Sequence, residues 1–464
     1  MRQRVLCIFI FSVLSQFIVF IVFLFIKNFE SNQIFIDSSI LREHVNYDKN
    51  STKGIAKPVE NSNSIATYFN STCLKNITFN KSMITETTWI PVDTSNSTFV
   101  FSAFYEHAAK HVILVGLKSR DVQGTCQMWF EAGNGMQARM EESVLEMHKY
   151  LAENHGHRYA ASIFRCSSPH GKPTYVSVVE TSCQQASNLI VVKGSETRKA
   201  YKRKFTVCLM PLFGNFSDVH SLVEWVELNI LLGAEKFLVY HYSSAENIRC
   251  ALQMYVKRNI VEIVQWPLPV SNVYYIGQVA ELQDCLYRNK AESEFVVNLD
   301  LDEFIIPRKE SSRTWADIVA NSKSGSFIFC NTFFLKETLD MNSSSNVLAK
   351  QFKLYSLLLS KHEPKVWKHK ARSKYIARTA MATSLMIHEV PISNSQIELV
   401  SEDQAMLFHY RNWENKNVST DNFVTDETIA RKYGDALVAN VKRTWNEIEQ
   451  HSSKYCKHPT NKTL

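Results

Sequence analysis

Three carboxylates occur within four residues in the stretch FVVNLDLDEFIIPR, residues 295–308. Asp300, Asp302 and Glu303 follow a run of strand-forming residues, and apolar residues resume directly after them. Burying carboxylates costs free energy unless a cation or hydrogen-bond donors compensate the charge. Two aspartates at i and i+2 after a strand can direct both carboxylates at one hard divalent cation, while Leu301 points into the core. The pattern predicts a magnesium or manganese site with positions left for the oxygens of a diphosphate.

A D-x-D pair alone is a weak signal, because an acidic turn or a helix-capping loop has the same pattern. A hydrolase that uses Asp300 and Asp302 as its acid and base is disfavoured, since residues at i and i+2 lie too close together for that division of roles. The elements that precede the pair must therefore decide between a ligand site and a structural turn.

Strand-like and helix-like segments alternate before the acidic stretch. The strand-like runs are residues 204–213, 235–242, 260–269 and 294–299, and a helical pattern fills each interval between them. The first helix is expected to end at Gly233, and a capping box from Ser243 to Glu246 is expected to open the second. Such alternation predicts right-handed crossovers and a mostly parallel sheet covered on both faces. Ligands bind beyond the carboxyl ends of the strands in these sheets, which is where the acidic pair stands.

The first segment predicts a membrane anchor. Residues 5–26 contain no charge and are long enough to cross a hydrocarbon core of about 30 Å. The apolar run exceeds that of a cleaved signal peptide, and no small-x-small cleavage site follows it. Arg2 and Arg4 precede the run, which places residues 1–4 in the cytoplasm by the positive-inside rule. The remainder of the chain is then lumenal or extracellular.

Glycosylation sequons agree with that topology. Five of the nine N-x-[ST] sequons crowd into the first 100 residues. The acceptors are Asn50, Asn70, Asn76, Asn80, Asn96, Asn215, Asn342, Asn417 and Asn461. Nine cysteines follow Cys7 without C-x-x-C pairs, so some are expected to form disulfides, and the odd count leaves at least one outside an intramolecular pair.

Composition divides the rest of the chain into three parts. Residues 27–96 are rich in Ser, Asn and Thr and predict a stem. Residues 97–202 are predicted to form a small β-rich lumenal region, and residues 203–460 are predicted to form the main domain. The net charge of +7 is modest and concentrates in residues 198–204 and 361–374. Local basic runs of this kind are either solvated faces or attract an anionic ligand, and they give no sign of a nucleic-acid partner.

Several stretches together resemble glycosyltransferase family 92, a group that includes animal β-1,4-galactosyltransferases. They are FVVNLDLDEFIIPR together with residues 208–215 (CLMPLFGN), 222–244 (LVEWVELNILLGAEKFLVYHYSS), 277–288 (GQVAELQDCLYR), 373–390 (SKYIARTAMATSLMIHEV) and 405–412 (AMLFHYRN). The chain lacks the proline that this pattern places near Thr379. The resemblance implies a GT-A type fold, an α/β Rossmann-like mixed sheet with flanking helices, for residues 203–460.

The resemblance also implies an activity and a location. It implies an inverting enzyme of the Golgi membrane that depends on manganese or another divalent cation. The enzyme would move galactose from UDP-galactose, in β-1,4 linkage, onto a glycoprotein glycan such as an N-glycan or its core fucose. An inverting transferase needs a carboxylate that takes the acceptor's proton. Asp340, Glu363 and Glu389 are candidates that the sequence does not rank. The alternative function is a catalytically inactive, membrane-anchored glycan-binding protein on the same fold.

The matching motifs imply roles for the acidic residues and one histidine. Asp300 and Asp302 are expected to bind the metal, and Glu303 either fixes the loop or faces the donor sugar. His409 in AMLFHYRN is expected to be a third metal ligand, with a structural histidine as the alternative.

Further residues are implied in donor and acceptor binding. Gln278 and Asp284 fall on the family's Q-to-D-C pattern and are expected to contact the donor, although Asp284 and Arg288 also have the spacing of a helical ion pair. Lys374 is expected to supply charge to the donor phosphates and Trp367 to stack on the acceptor. The alternatives are a surface lysine and a packed aromatic side chain.

Overall fold

The computed structural model describes residues 65–68, 73, 77–80, 83–84, 88–121, 123–131, 139–147, 154–194, 200–339, 346–391, 395–412 and 420–455. The chain divides into two compact units, residues 1–62 and 63–464, and all described residues belong to the second. The predicted cytoplasmic tail, membrane anchor and most of the stem lie outside the described residues. Within the described ranges, no helix is both long enough and apolar enough to span a bilayer.

The bounds of the secondary structure are as follows. Strands β1–β11 are Ile65–Tyr68, Ile77–Asn80, Ile90–Pro91, Thr98–Glu106, His111–Lys118, Thr125–Phe130, Arg139–Val144, Glu146–Met147, Ala160–Ser167, Tyr175–Val179 and Ile190–Lys193. Strands β12–β23 are Arg203–Leu212, Lys236–His241, Val261–Gln265, Ser293–Leu299, Glu303–Pro307, Ser326–Phe329, Asn331–Leu335, Lys361–His362, Lys374–Arg378, Ile397–Val400, Ala405–Arg411 and Val424–Thr425. Helices α1–α7 are Val219–Leu232, Glu246–Lys257, Gln278–Asn289, Trp315–Val319, Val347–Phe352, Tyr355–Leu358 and Thr428–Tyr455, and 3₁₀ turns occupy Tyr274–Gly277 and Lys336–Thr338.

Strands β3–β11 form one sheet with the order β7-β6-β10-β11-β4-β5-β9-β8, and β3 pairs with β4. Leu145 alone separates β7 from β8, and these two strands pair with β6 and β9 at opposite ends of that order. The sheet therefore closes on itself. Its interior is apolar, with Val100 and Leu114 fully buried, and the Cys126–Cys166 disulfide joins β6 to β9.

The main sheet is mixed and has the order β14-β13-β12-β15-β20-β17-β21. Strands β12, β13, β14 and β15 run parallel, whereas β20 is antiparallel to both β15 and β17. Counted from β12, the parallel strands stand in the order 3-2-1-4, so the order reverses between β12 and β15. A reversal of this kind opens a ligand-binding crevice at the carboxyl ends of the two strands.

Helices cover both faces of the main sheet. Along β15, Phe295 and Val297 enter the core that contains α1 and α2, while Val296 enters the core that contains α3. The predicted alternation of strands and helices is confirmed, and α1 ends at Gly233, whose φ of 112° suits a residue without a Cβ. The predicted capping box is wrong: α2 begins after Ala245 without a side-chain cap, and the Ser243 hydroxyl donates to the Gly214 carbonyl.

The closed β-rich sheet and the main sheet share a hydrophobic core around α3. The ring of Trp266, which follows β14, lies 5.0 Å from Trp89 and 4.6 Å from Phe101. Phe104 stacks on Tyr287 of α3 at 6.1 Å. Burial of large aromatic surfaces on both sides makes these two sheets one packed body.

A small sheet and a long helix complete the main domain. The small sheet has the strand order β16-β22-β18, and β16 begins at Glu303 of the acidic stretch. Helix α7 lies against α1 and α2, where Trp445 stacks on His220 at 4.3 Å and the Thr444 hydroxyl donates to Glu227.

Cysteine pairing follows the expectation from the odd count. Disulfides join Cys73 to Cys183, Cys126 to Cys166 and Cys208 to Cys285, and Cys250 is also disulfide-bonded. Among the described cysteines, Cys330 is free and buried.

Candidate active site

The acidic stretch forms a tight turn at the end of β15, beside the crevice between β12 and β15. Asp300 and Asp302 are half-buried in the turn, and Glu303 is buried at the start of β16. The Asp300 backbone N–H donates to Glu303 Oε2 at 2.9 Å, and the Glu303 N–H donates to the Asp300 carbonyl at 3.2 Å. Glu303 therefore fixes the loop that carries both aspartates.

Lys374 brings positive charge to the turn. It begins β20, the antiparallel neighbour of β15, and its Nζ lies 2.9 Å from Asp300 Oδ2 and 3.5 Å from Glu303 Oε2. Burial alone would lower the pKa of Lys374, but Asp300 and Glu303 raise it above its ordinary value. The side chain is 1% exposed, so the alternative of a surface lysine is wrong.

His409 reaches the same turn from β22. The pairing of β22 with β16 places His409 directly opposite Glu303. Its Nε2 lies 3.4 Å from Asp302 Oδ2, and its Nδ1 lies 3.2 Å from Glu303 Oε1. Burial opposes protonation of the imidazole, but the charges of Asp302 and Glu303 raise its pKa above the usual value.

These side chains have the composition of a divalent cation site. Carboxylate oxygens and an imidazole nitrogen suit magnesium or manganese, and Asp302 Oδ2 lies beside His409 Nε2. The buried His409 Nδ1 faces Glu303 Oε1 without a hydrogen bond, and its Nε2 faces Asp302. In chemistry the donor set suits the cation that the sequence predicts, although the ligand atoms of Asp300, Asp302 and His409 do not all lie within 4.8 Å of one another.

Crowding of like charge is the main electrostatic feature of the turn. Burial raises the pKa of Glu303 to about 7; Lys374 opposes this shift, whereas Asp300 adds to it. For Asp302, burial would raise the pKa, but His409 lowers it below the ordinary value. Three carboxylates thus face two basic groups, an arrangement that favours an additional cation.

Of the two residues on α3 that the sequence predicts for the site, one reaches the acidic turn. Gln278 Nε2 donates to Asp300 Oδ1 at 3.2 Å, so this predicted residue does reach the acidic turn. The structure does not bring Asp284 there: its carboxylate accepts from the Tyr240 hydroxyl at 2.6 Å and pairs with Arg288 at 2.8 Å, as in the ion-pair interpretation.

Sequence reasoning missed two groups next to the turn, one buried and one half-buried. Glu281 is fully buried with no hydrogen bond to either carboxylate oxygen, and burial, followed by the charges of Asp284 and Asp300, raises its pKa well above the ordinary value. His388 Nδ1 lies 2.9 Å from the Ser373 carbonyl oxygen. Burial and the charge of Lys374 lower the pKa of His388 to about 4. Both residues lie inside stretches that carry the family resemblance, but nothing in the spacing of those stretches marks either residue as part of the site.

An aromatic and cationic cluster adjoins His409. The Phe333 ring lies 4.9 Å from the His409 ring and 5.9 Å from Trp367. Arg372 stacks over Trp367 at 4.8 Å, and Arg411 lies 5.4 Å from the Phe333 ring. Trp367 is thus a packed aromatic residue at the edge of the site.

The two described candidates for the catalytic base have different hydrogen-bond and ion-pair partners. Glu363 accepts from Trp367 Nε1 at 2.7 Å. Glu389 pairs with Lys370 at 2.9 Å and is half-exposed. Asp340 lies outside the described residues. The geometry does not rank them.

Among the predicted glycan acceptors, Asn96 and Asn215 are exposed. Asn80 ends β2, and the remaining six acceptors lie outside the described residues.

A cavity of about 350 Å³ lies at the opposite, amino ends of the parallel strands. Lys202 and Arg203 line it, but both pair with Glu292, at 2.7 and 3.2 Å. Because its cations already have partners, this cavity is a weaker ligand site than the acidic turn.

Comparison with known proteins identifies the family of the chain. The chain belongs to glycosyltransferase family 92, whose family model matches residues 203–457, and the resemblance seen in the sequence is confirmed. The beta-1,4-galactosyltransferase galt-1 of Caenorhabditis elegans is 28% identical over 170 residues, which cover 34% of this chain and 40% of that protein. Another family 92 protein of Caenorhabditis elegans is 31% identical over 114 residues, covering 22% of each chain. The matched segments thus span less than half of either relative.

Solved structures give a more distant similarity. S. aureus TarS 1-349 in complex with UDP-GlcNAc is 15% identical, with 54% of this chain and 73% of that chain covered and a TM-score of 0.25. Glucosyl-3-phosphoglycerate synthase from Mycobacterium tuberculosis, in complex with Mn²⁺, UDP and glucosyl-3-phosphoglycerate, is 12% identical, with coverages of 53% and 80% and a TM-score of 0.23. Similarity at this level carries no information about the ligands of this chain.

Proposed function

We propose that the chain is a metal-dependent, inverting glycosyltransferase of GT-A type that moves galactose from UDP-galactose, in β-1,4 linkage, onto a glycan acceptor. The observation that carries the proposal is the convergence of Asp300, Asp302, His409 and Lys374 at the crevice where the strand order reverses. Membership of family 92 supports sugar transfer, and the name of the galt-1 relative supports galactose and the linkage.

The roles of the residues follow from their contacts. Asp300, Asp302 and His409 would hold a divalent cation, manganese in the first instance, which supplies positive charge to the departing diphosphate. Lys374 and Gln278 hold the Asp300 carboxylate at 2.9 and 3.2 Å, so that its orientation is set before the donor binds. Glu303 holds the turn through the Asp300 N–H. Removal of the acceptor's proton requires a further carboxylate, and Glu363 and Glu389 are its described candidates.

The location is part of the proposal. An anchor at residues 5–26 and lumenal sequons support a single-pass type II protein of the Golgi membrane, acting on glycoprotein glycans such as an N-glycan with core fucose. In sealed microsomes, added protease should leave the body of the chain intact, and deglycosylation should then lower its mass. Digestion without detergent would contradict the lumenal location.

The activity is tested with the purified full chain in detergent. UDP-galactose, UDP-glucose and UDP-N-acetylglucosamine are each offered with manganese and with a chelator, and both donor hydrolysis and transfer to N-glycan acceptors are measured. We expect turnover of UDP-galactose that requires manganese. Turnover of no donor, together with glycan binding that ignores the metal, would favour the glycan-binding alternative.

A further inference from the structure

The cavity at the amino ends of the parallel strands has a lining rich in basic side chains. Four of its lining residues are basic and two are acidic. They are Lys202, Arg203, Lys236 and Arg288 against Glu262 and Glu292. Its volume of about 350 Å³ lies at the lower end of the range of small-molecule sites, roughly 300–1,000 Å³. The cavity therefore has the size of a ligand site and an excess of positive charge.

Lys236 is the most deeply buried of these basic residues. It begins β13 and is 7% exposed. Its Nζ donates to the Asn259 carbonyl at 3.0 Å and to Asn259 Oδ1 at 2.9 Å, and both acceptors are neutral. Burial lowers the pKa of Lys236; the charge of Glu262 opposes this shift, and that of Arg203 adds to it. An anion beside the ammonium group would offset the cost of burying its charge.

The other basic residues share few carboxylates. Lys202 Nζ and Arg203 Nη2 lie 2.7 and 3.2 Å from the same oxygen, Glu292 Oε2. Arg288 pairs with Asp284 at 2.8 Å, and its Nη1 lies 3.8 Å from Glu262 Oε1. Even with Asp284 counted, the basic residues around the cavity outnumber the acidic ones. The positive charge of the cavity is thus only partly compensated.

The kind of basic side chain indicates the kind of anion. A lysine ammonium group and arginine guanidinium groups are the side chains that most often bind phosphate groups. Arg203 is held in place, because its Nε donates to Ser293 Oγ at 3.2 Å. The two bonds to Asn259 occupy two of the three ammonium donors of Lys236, which leaves one for a ligand. A phosphate monoester carries a charge of about −1.5 to −2 near neutral pH, which matches the excess in the lining.

We propose that this cavity binds a phosphate monoester of sugar size, with Lys236 and Arg203 on the phosphate group and the remaining volume occupied by the polar carrier. The site is separate from the acidic turn. Gln278 at the start of α3 contacts Asp300, whereas Arg288 lies ten residues further along the helix, about 15 Å at 1.5 Å per residue. The inference therefore does not depend on the proposed function.

The test uses glucose 6-phosphate, inorganic phosphate and glucose as probes. Each is titrated calorimetrically into the full chain in chelator, so that no cation at the acidic turn can recruit phosphate. We expect glucose 6-phosphate to bind more tightly than inorganic phosphate, and glucose not to bind. Lys236→Met, which keeps the length of the side chain but removes its charge, should raise the dissociation constant of glucose 6-phosphate roughly tenfold to a hundredfold.

A second variant should have the opposite effect. Glu292→Gln removes the carboxylate that competes with the ligand for Lys202 and Arg203, so it should lower the dissociation constant roughly threefold or more. Lys309→Met is the control, since Lys309 is exposed and follows β16 outside the cavity. It should bind glucose 6-phosphate like the parent. If Lys236→Met does not fold, Lys202→Met replaces it, because Lys202 is about half-exposed and also lines the cavity.

UDP titrated with manganese separates this site from the acidic turn. Folded Lys236→Met protein should bind UDP like the parent, and a loss of UDP affinity in that variant would overturn the separation of the two sites. A parent that binds glucose 6-phosphate but not UDP would contradict the proposed function and leave the cavity site in place.

Three results would overturn the cavity site itself. The first is a parent that does not bind glucose 6-phosphate. The second is an affinity that neither the lysine variant nor Glu292→Gln changes, since the ligand would then lie elsewhere. The third is equal affinity for inorganic phosphate and glucose 6-phosphate, which would remove the sugar-sized carrier from the proposal.

Discussion

Two groups of acidic residues in the described part of the main domain, one on α1 and one in the acidic turn, are stabilised in different ways. On α1, Glu224 accepts hydrogen bonds from the Tyr355 N–H at 3.1 Å and from the Ser356 N–H and hydroxyl at 2.8 and 2.7 Å. Glu227, one turn further on, accepts from the hydroxyls of Tyr255 and Thr444. Most of these donors are neutral groups on elements packed against α1.

The acids of the turn have few such donors and crowd one another instead. Asp300, Asp302 and Glu303 rely on Lys374 and His409 for charge compensation. An isolated buried acid with neutral donors joins structural elements. A crowd of acids beside an open crevice retains negative charge that a cation can neutralise, which is the property of a ligand site.

The largest expected effect is the loss of transfer in Asp302→Asn. Asparagine keeps the size of the side chain, and the Asp302 carbonyl still accepts from the Tyr410 N–H, so the fold should survive. Removing one charge from the cation site should lower the transfer rate roughly a hundredfold to a thousandfold or more. Asp403→Asn, an exposed carboxylate in the turn before β22, is the control. Parental transfer by folded Asp302→Asn protein would make the acidic turn structural.

The next effect is on stability. Lys374→Met leaves the Asp300 and Glu303 carboxylates without their buried counter-charge, and the free energy of unfolding should fall by about 3 kcal/mol. Urea unfolding of the full chain in chelator measures the change. Lys370→Met is the control, because the Lys370–Glu389 pair is about half-exposed on both sides and should contribute little. Equal losses in the two variants would remove the special role of Lys374.

A pH effect should distinguish the structural acids. Burial raises the pKa of Glu224 to about 7 from 4.5, although its hydrogen bonds to Ser356 oppose the shift. Between these values the folded chain keeps a proton that the unfolded chain has lost, so this contribution to stability is complete below pH 4.5 and disappears as the pH rises to about 7. At about 1.4 kcal/mol per pKa unit, the change is on the order of 3 to 4 kcal/mol.

Glu224→Gln should lack that part of the pH dependence. Glutamine presents an amide N–H₂ to one of the present donors, so the variant should be less stable at every pH, and the slope is the informative quantity. Glu303 and His409 contribute to the slope in both proteins and cancel in the difference. Parallel curves for parent and variant would show that Glu224 has the same pKa in the folded and the unfolded chain.

The smallest effect is expected at Glu281. Neither of its carboxylate oxygens has a hydrogen-bond partner, and burial raises its pKa well above the ordinary value, which favours the neutral form that glutamine resembles. Glu281→Gln should change the free energy of unfolding by less than about 1 kcal/mol at neutral pH. A large loss, measured by urea unfolding, would mean that Glu281 is charged and compensates Lys374.

The sequence predicted the elements that depend on local pattern. Apolar periodicity and Gly233 predicted α1, and the alternation of strands and helices predicted the position of Asp300 at a strand end. The capping box failed because α2 begins two residues later than the pattern predicts, at a point where the Ala245 N–H donates to the Phe216 carbonyl. Local rules do not contain such tertiary contacts.

Much of the site depends on pairings that no single sequence displays. The antiparallel pairing of β20 with β15 brings Lys374 into the core, and the pairing of β22 with β16 sets His409 opposite Glu303. The contribution of the β-rich sheet to the loop before α3 is equally non-local. A resemblance to a family could suggest Lys374 and His409, but periodicity and spacing could not.

Calorimetric titration of UDP into the full chain, once with manganese and once with chelator, tests the central claim most directly. If the acidic turn holds a cation for the diphosphate, UDP should bind only with manganese and stabilise the folded chain by about 2.7 kcal/mol at a hundredfold excess over its dissociation constant. Asp302→Asn should abolish this binding, and Asp403→Asn should not. Equal UDP affinity with manganese and with chelator would contradict a metal-dependent donor site at Asp300 and Asp302.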